Sequence, residues 1–125
     1  MGRVLVVDDD ETIRMLLQAH LKHAGHRVLV SGSANEAMAA VRDHGSPDVV
    51  VLDLGLPDIH GFELAQKLRA ATGIDELPII FLTADVDATQ IERGRDLGAV
   101  YLTKPYVRNA LVNAIEKAIT EPDGW

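Results

Sequence analysis

Three carboxylates, a hydroxyl and an ammonium each follow closely on a short apolar run in this chain. Asp8 and Asp9, with Asp10 behind them, end the run at residues 4–7. Asp53 ends residues 49–52, Thr83 ends residues 79–82, and Lys104-Pro105 comes just after residues 100–102. If each run is a strand of one parallel sheet, these groups converge on a single edge, where ligands bind in open α/β sheets. Carboxylates crowded in this way repel one another and take up protons unless a cation compensates. Mg²⁺ suits such a place, because it takes a few carboxylate oxygens and keeps waters and phosphate oxygens as its other ligands. With the metal bound, Asp53 is an ionised nucleophile. The metal and Lys104 can then neutralise the oxygens of an incoming phosphoryl group, and Thr83 can donate a hydrogen bond to the product phosphate.

Each of these residues has an ordinary explanation when taken alone. Asp10, just before Glu11-Thr12-Ile13, reads as a helix N-cap or first-turn acid. Asp53 could be a turn residue ahead of Pro57, Thr83 a strand-end residue, and Lys104 a solvated charge. The ordered set, with every member at a strand end, is what points to chemistry.

The elements that must position them follow from periodicity. Apolar runs at residues 4–7, 28–30, 49–52, 79–82 and 100–102 read as strands. Three of them are four residues long and apolar throughout, the pattern of strands covered on both faces of a parallel sheet. Between them, Ile13, Leu16, Leu17 and Leu21 follow helical spacing up to Gly25. Ala34, Ala37, Met38 and Val41 do so up to Gly45-Ser46-Pro47. Leu64, Leu68 and Ala71 form a third stripe ended by Gly73, and Leu111, Ile115, Ala118 and Ile119 form the last. A fourth helix, over residues 87–97, has a thin apolar face of Ala88, Ile91 and Leu97. It also carries Gly94, which costs about 1 kcal/mol relative to Ala, so this helix is expected to be the loosest element. Five strands alternating with five helices imply right-handed crossovers and an α/β doubly wound sheet.

Composition sets the outer bounds. The 125 residues fit one domain, 47% hydrophobic and 25% charged, without internal repeat or linker. There is no cysteine, which excludes disulfides, thiolate zinc sites and cysteine catalysis. The formal net charge of −7 argues against nucleic-acid binding through the domain's own surface, since phosphate contacts need a basic patch. No apolar stretch approaches the ~20 residues needed to span a bilayer, and the first apolar run is too short for a signal peptide. No membrane association and a cytoplasmic location are therefore expected. Residues 1–121 are read as the domain, and 122–125 as a tail or the start of a linker.

In order along the chain stand Val6-Val7-Asp8-Asp9, Val51-Leu52-Asp53-Leu54-Gly55-Leu56-Pro57-Asp58 with Gly61, Leu82-Thr83-Ala84, Gly98-Ala99, and Tyr101-Leu102-Thr103-Lys104-Pro105. This arrangement resembles the response-regulator receiver domains of two-component signal transduction, over essentially the whole chain. The resemblance implies a flavodoxin-like strand order 2-1-3-4-5 and a phosphorylation switch that accepts a phosphoryl group onto Asp53 from a histidine kinase or histidine phosphotransfer protein. It implies that Asp8, Asp9, Asp53 and the carbonyl of Gly55 hold Mg²⁺. Lys104 would bind the phosphate, through a residue whose bond to Pro105 is usually cis. Thr83 would move toward the phosphate and Tyr101 would turn inward with it, passing the signal to a downstream protein on the face of the fourth helix, fifth strand and fifth helix. Such a protein phosphorylates itself without substrate turnover, apart from slow self-dephosphorylation.

There are departures from the family pattern. One residue is missing between Ala99 and Tyr101, which alters the entry to the fifth strand. His60 stands before Gly61 where an acid is more common, and reads as a surface substitution. Val100 stands where many DNA-binding relatives carry the acids of a dimer interface, so that dimer is not expected. Two other readings compete. A phosphorylation-independent interaction module would typically have lost Asp53, Thr83 or Lys104, and all three are present. A phosphohydrolase of the haloacid dehalogenase type places a second Asp two residues after its nucleophile, where this chain has Gly55.

Overall fold

The structure is a computed structural model that describes residues 2–84 and 99–120. Five parallel strands form one sheet: β1 (Arg3–Val7), β2 (Arg27–Ser31), β3 (Val49–Asp53), β4 (Ile79–Thr83) and β5 (Val100–Thr103), in the order β2-β1-β3-β4-β5. Four helices are described: α1 (Glu11–His23), α2 (Ala34–His44), α3 (Gly61–Thr72) and α4 (Arg108–Thr120). The helix expected over residues 87–97 lies outside the described residues, as does the Gly98 side of the entry to β5. None of the described helices is long and apolar enough to cross a membrane.

Side chains of successive strand residues point to opposite faces, and the core divides accordingly. Val4, Val6, Val49, Val51, Ile80 and Leu82 pack with Leu17 and Leu21 of α1 and Leu111 and Ile115 of α4. Leu5, Val7, Val50, Leu52, Ile79 and Phe81 pack with α2 and α3 on the other face. β3 and β4 are buried at every position, while the edge strands β2 and β5 keep exposed residues. Within the described helices the periodic stripes hold with two exceptions. Leu16 is 44% exposed because it lies one residue round the helix from Leu17. Ala71, in the last turn of α3, is exposed along an open groove toward α2.

The helix ends are stopped by identifiable chemistry. Asp10 caps α1, its Oδ1 accepting from Thr12 N at 2.8 Å and Ile13 N at 3.2 Å. Gly73 closes α3 at φ 72°, a left-handed conformation that glycine adopts without strain. His60, expected to be a surface substitution, is exposed and caps α3: its Nδ1 accepts from Phe62 N at 3.2 Å.

Gly61 has a more demanding role. A Cβ there would lie 2.8 Å from Leu54 Cα and 2.9 Å from Asp53 O, whereas one on Gly55 would meet nothing within 4 Å. The start of α3 therefore rests directly on the backbone that carries Asp53. Gly61→Ala should lower the unfolding free energy in urea by about 1–3 kcal/mol, the usual cost of overpacking. Gly55→Ala should stay within about 0.5 kcal/mol of the parent, as at an unconstrained surface position.

Candidate functional site

The strand order reverses between β1 and β3: β1 leads outward to β2, and β3 leads the other way to β4. The two strands diverge from neighbouring positions, and the crevice beyond their carboxyl ends is the topological switch point of the sheet. Asp8 and Asp9 follow β1 and Asp53 ends β3, so the fold brings them together there. One carboxylate oxygen from each lies within 4.8 Å of the others. Asp8 is 1% exposed and Asp53 7%, while Asp9 faces solvent.

Lys104 reaches the same point from the end of β5, on the far side of β4. Its Nζ lies 2.8 Å from Asp8 Oδ2 and 3.4 Å from Asp53 Oδ2. The Asp8 contact is the closer of the two and compensates a fully buried carboxylate. Lys104 N donates to Thr83 O at 2.9 Å, and the Lys104–Pro105 peptide is cis. Thr83, at the end of β4, is 6% exposed. Tyr101 is half-buried, its ring 5.4 Å from Phe81 and 6.4 Å from Phe62. Gly55 is exposed and donates its N–H to Asp53 Oδ1 at 3.2 Å.

Further contacts brace this site and carry no motif in the sequence. Asp8 Oδ1 accepts from Asp10 N at 2.9 Å, and Arg14 Nη1 donates to Asp8 O at 2.7 Å. His20 Nδ1 and Tyr106 OH lie 2.6 Å apart, tying the loop that follows Lys104 to α1. Two polar side chains separated by 86 residues give no local signal.

The electrostatics follow from the crowding. Burial pushes the Asp53 carboxyl above its ordinary range and the charge of Asp8 pushes it further, against the opposing effects of the Gly55 amide and Lys104. Burial pulls the Lys104 ammonium down, but contact with Asp8 and the charges of Asp8 and Asp53 outweigh it, and its pKa is raised. Three carboxylates and one ammonium leave two negative charges unbalanced. A divalent cation matches that deficit, and an all-oxygen donor set matches a hard one. The residues present therefore fit Mg²⁺.

The chain matches the response regulator receiver domain family over residues 4–116. It belongs to that family. Among curated relatives, it is 37% identical to the transcriptional regulatory protein AfsQ1 of Streptomyces coelicolor over 95% of this chain and 51% of the relative. It is 36% identical to the DNA-binding response regulator MtrA of Mycobacterium tuberculosis over 97% of this chain and 52% of the relative. The chain thus spans about half the length of these relatives. Among solved structures, the non-phosphorylated HemR receiver domain of Leptospira biflexa superposes with a TM-score of 0.84 at 35% identity, covering 96% of this chain and 95% of that one. The chemotaxis protein CheY4 of Vibrio cholerae gives a TM-score of 0.84 at 28% identity, covering 94% and 98%. Receiver domains serve phosphorylation-dependent signalling in two-component systems and typically bind Mg²⁺ in an acidic pocket, and in this receiver domain Asp8, Asp9 and Asp53 form an acidic cluster.

The raised Asp53 pKa carries a sign for stability. The folded state holds the Asp53 proton to higher pH than the unfolded chain, so ionised Asp53 costs stability once the pH passes its folded pKa. In metal-free buffer at pH 7.5, Asp53→Asn should melt above the parent by an amount corresponding to about 1 kcal/mol, and the gap should narrow as the pH falls toward the carboxylate range. Lys104→Met should shift melting the opposite way, because it strips the buried carboxylates of their cation. Thermal melts followed by circular dichroism across pH check both signs.

Proposed function

We propose that this receiver domain is a switch that accepts a phosphoryl group onto Asp53, in a Mg²⁺-dependent reaction, from a histidine kinase or a histidine phosphotransfer protein. The observation that carries this reading is Lys104 Nζ bridging Asp8 and Asp53 at the switch point of the sheet. A carboxylate at a strand end, flanked by a fixed cation and further carboxylates, is built to receive an anion only if its own charge is compensated first. Asp8, Asp9, Asp53 and the Gly55 carbonyl would hold Mg²⁺. When bound, the metal neutralises phosphoryl oxygens as charge redistributes during transfer.

The chain's own residues do the rest. An oxygen of Asp53 attacks phosphorus in line with the leaving group. The new bond is Asp53 O–P; the bond broken is the N–P bond of the donor's phosphohistidine. Its ring nitrogen leaves with the electron pair and takes up a proton. Lys104 pairs with a phosphoryl oxygen and Thr83 donates to another. As Thr83 engages, Tyr101 settles further against Phe81 and Phe62, and the β4–β5 side carries the signal to a downstream protein. The surface expected to meet that protein includes residues outside those described. DNA-binding belongs to the name of MtrA, about half of which the chain covers. For this domain, the charge of −7 keeps direct nucleic-acid contact out of the proposal.

Incubation with a small phosphodonor and Mg²⁺ should add a single phosphoryl group by intact mass. Asp53→Asn should abolish the addition and chelation of the metal should suppress it. Equal labelling of the mutant refutes the assignment.

The lifetime of the phosphorylated state follows from Gly55. Hydrolysis needs a water in line with the Asp53–phosphate bond, and Gly55 has no side chain to orient or deprotonate it, with open space where a Cβ would stand. In the family a second position, two residues after the Thr83 equivalent, also influences that water; here it is Asp85, which lies outside the described residues. A positioned acid or base contributes roughly 10²–10⁴ in rate, which outweighs the shielding that Gly55 fails to give. After removal of the donor, phosphate should therefore persist for minutes or longer with Mg²⁺ present. Loss within seconds contradicts the argument.

A further inference from the structure

Between β3 and α3 the chain makes a loop, residues 54–60, that carries Gly55. At its root Gly61 N donates to Leu54 O at 3.0 Å, and Gly61 lies against the Asp53 and Leu54 backbone. Further out, Asp58 extends from the loop to a different element. Its Oδ1 accepts from Ala34 N and its Oδ2 from Asn35 N, each at 3.0 Å. These are first-turn amides of α2, which have no acceptor within the helix.

α2 does not need Asp58 as its own cap. Ser33 Oγ accepts from Glu36 N at 3.2 Å, and Glu36 Oε2 accepts from Gly32 N at 3.0 Å. The Asp58 bonds span 23 and 24 residues and are a tertiary clamp laid over a helix that is already capped. The Ala34 amide, more than any other group, holds the Asp58 carboxyl below its ordinary range, so it is ionised at neutral pH. A carboxylate that accepts two amides, one on each oxygen, fixes orientation as well as distance. Gly55 is held by its amide's bond to Asp53 Oδ1 and by the buried Leu54 before it, but nothing lies within 4 Å of where its Cβ would be, and beyond it Leu56 and Ile59 of the loop are only partly buried.

We propose that Asp58 is a positioning residue for the cation site: it locks residues 54–60 to the N-terminal amides of α2 and so holds the Gly55 carbonyl and the Asp53 carboxylate ready for Mg²⁺. The inference rests on the reading of that site as a Mg²⁺ site. Without the clamp, the metal has to order the loop as it binds, and that ordering subtracts from affinity. Outer residues that orient metal ligands typically cost 10–100-fold in affinity when removed.

Mg²⁺ titration by calorimetry, with urea unfolding of the same samples, tests this on the full chain. Asp58→Ala should bind Mg²⁺ about tenfold more weakly. Asp58→Asn, which keeps an acceptor for one amide but turns an NH₂ toward the other, should fall between it and the parent, and it carries the test if the alanine variant does not fold. Ser33→Ala removes the helix's own cap and leaves the clamp. It should lower the urea midpoint while keeping Mg²⁺ affinity within about twofold of the parent. Parent-like affinity in both Asp58 variants overturns the proposal, whatever their stability. So does a loss in Ser33→Ala equal to that in Asp58→Ala, since helix capping would then explain both. Failure of the parent itself to take up Mg²⁺ is a separate result, which removes the metal-site reading and the inference with it.

Discussion

Repulsion among carboxylates at the head of the sheet is the constraint that the surrounding structure answers. Two unit charges 4–5 Å apart repel by about 3–4 kcal/mol at an effective dielectric near 20. A typical hydrogen bond contributes only about 0.5–1.5 kcal/mol net. No local bond can offset the crowding of Asp8, Asp9 and Asp53, so a cation has to. Lys104 supplies one positive charge from within the chain, shared between Asp8 at 2.8 Å and Asp53 at 3.4 Å. Two negative charges remain, a deficit that a divalent cation fits, and on the proposed function a phosphoryl group then follows it. The raised pKa values of Asp53 and Lys104 both express this imbalance.

The same constraint explains why the site is made at this place in the fold. A parallel sheet that reverses its strand order at β1 and β3 sets Asp8, the first residue beyond β1, beside Asp53 at the end of β3. Buried strands hold them: β3 has no exposed residue, and Val6 and Val7 are fully buried just before Asp8. The lysine arrives from β5, and its backbone is tied to Thr83 O on β4. All the charged side chains are therefore mounted on or next to strands, while Gly55, which offers a backbone carbonyl, sits on a loop. That division explains why the loop needs bracing from outside the sheet.

Much of this was legible in the sequence, and for a physical reason. Strand and helix periods differ, so buried runs at residues 49–52 and 79–82 and the stripes of α1 to α3 could be told apart by spacing, and each functional side chain stood just beyond a run. Asp10 as a cap and Gly73 as a stop were also readable, because capping chemistry acts within a few residues. What stayed hidden acts through backbone partners or across long separations. Asp58 binds the amides of Ala34 and Asn35, Arg14 binds the carbonyl of Asp8, and His20 meets Tyr106. A backbone amide looks the same in every residue, so nothing in the sequence marks it as a partner. His60 is the surface residue expected, and only its capping role stayed hidden: a ring nitrogen can replace the oxygen of the usual cap, and composition alone does not show it.

Sharing Lys104 between two carboxylates also gives the switch its mechanical logic. On the proposed function, phosphorylation converts Asp53 from a partner of Lys104 into the root of a larger anion, so the ammonium is drawn toward the new oxygens and its hold on Asp8 weakens. The backbone of Lys104 cannot follow freely. It is bonded to Thr83 O, and two residues on Tyr106 is held to His20 of α1. With the loop pinned on its α1 side, the adjustment on this reading passes to Thr83 and Tyr101. There the ring of Tyr101 lies tilted at 37° to Phe81 and nearly perpendicular to Phe62, which itself meets Phe81 edge-on. Aromatic contacts of this kind have several arrangements of similar energy, unlike an ion pair with one geometry. On the proposed function, a change of charge at Asp53 reaches Tyr101 through the Lys104–Thr83 backbone bond and the ring contacts of Tyr101 with Phe81 and Phe62.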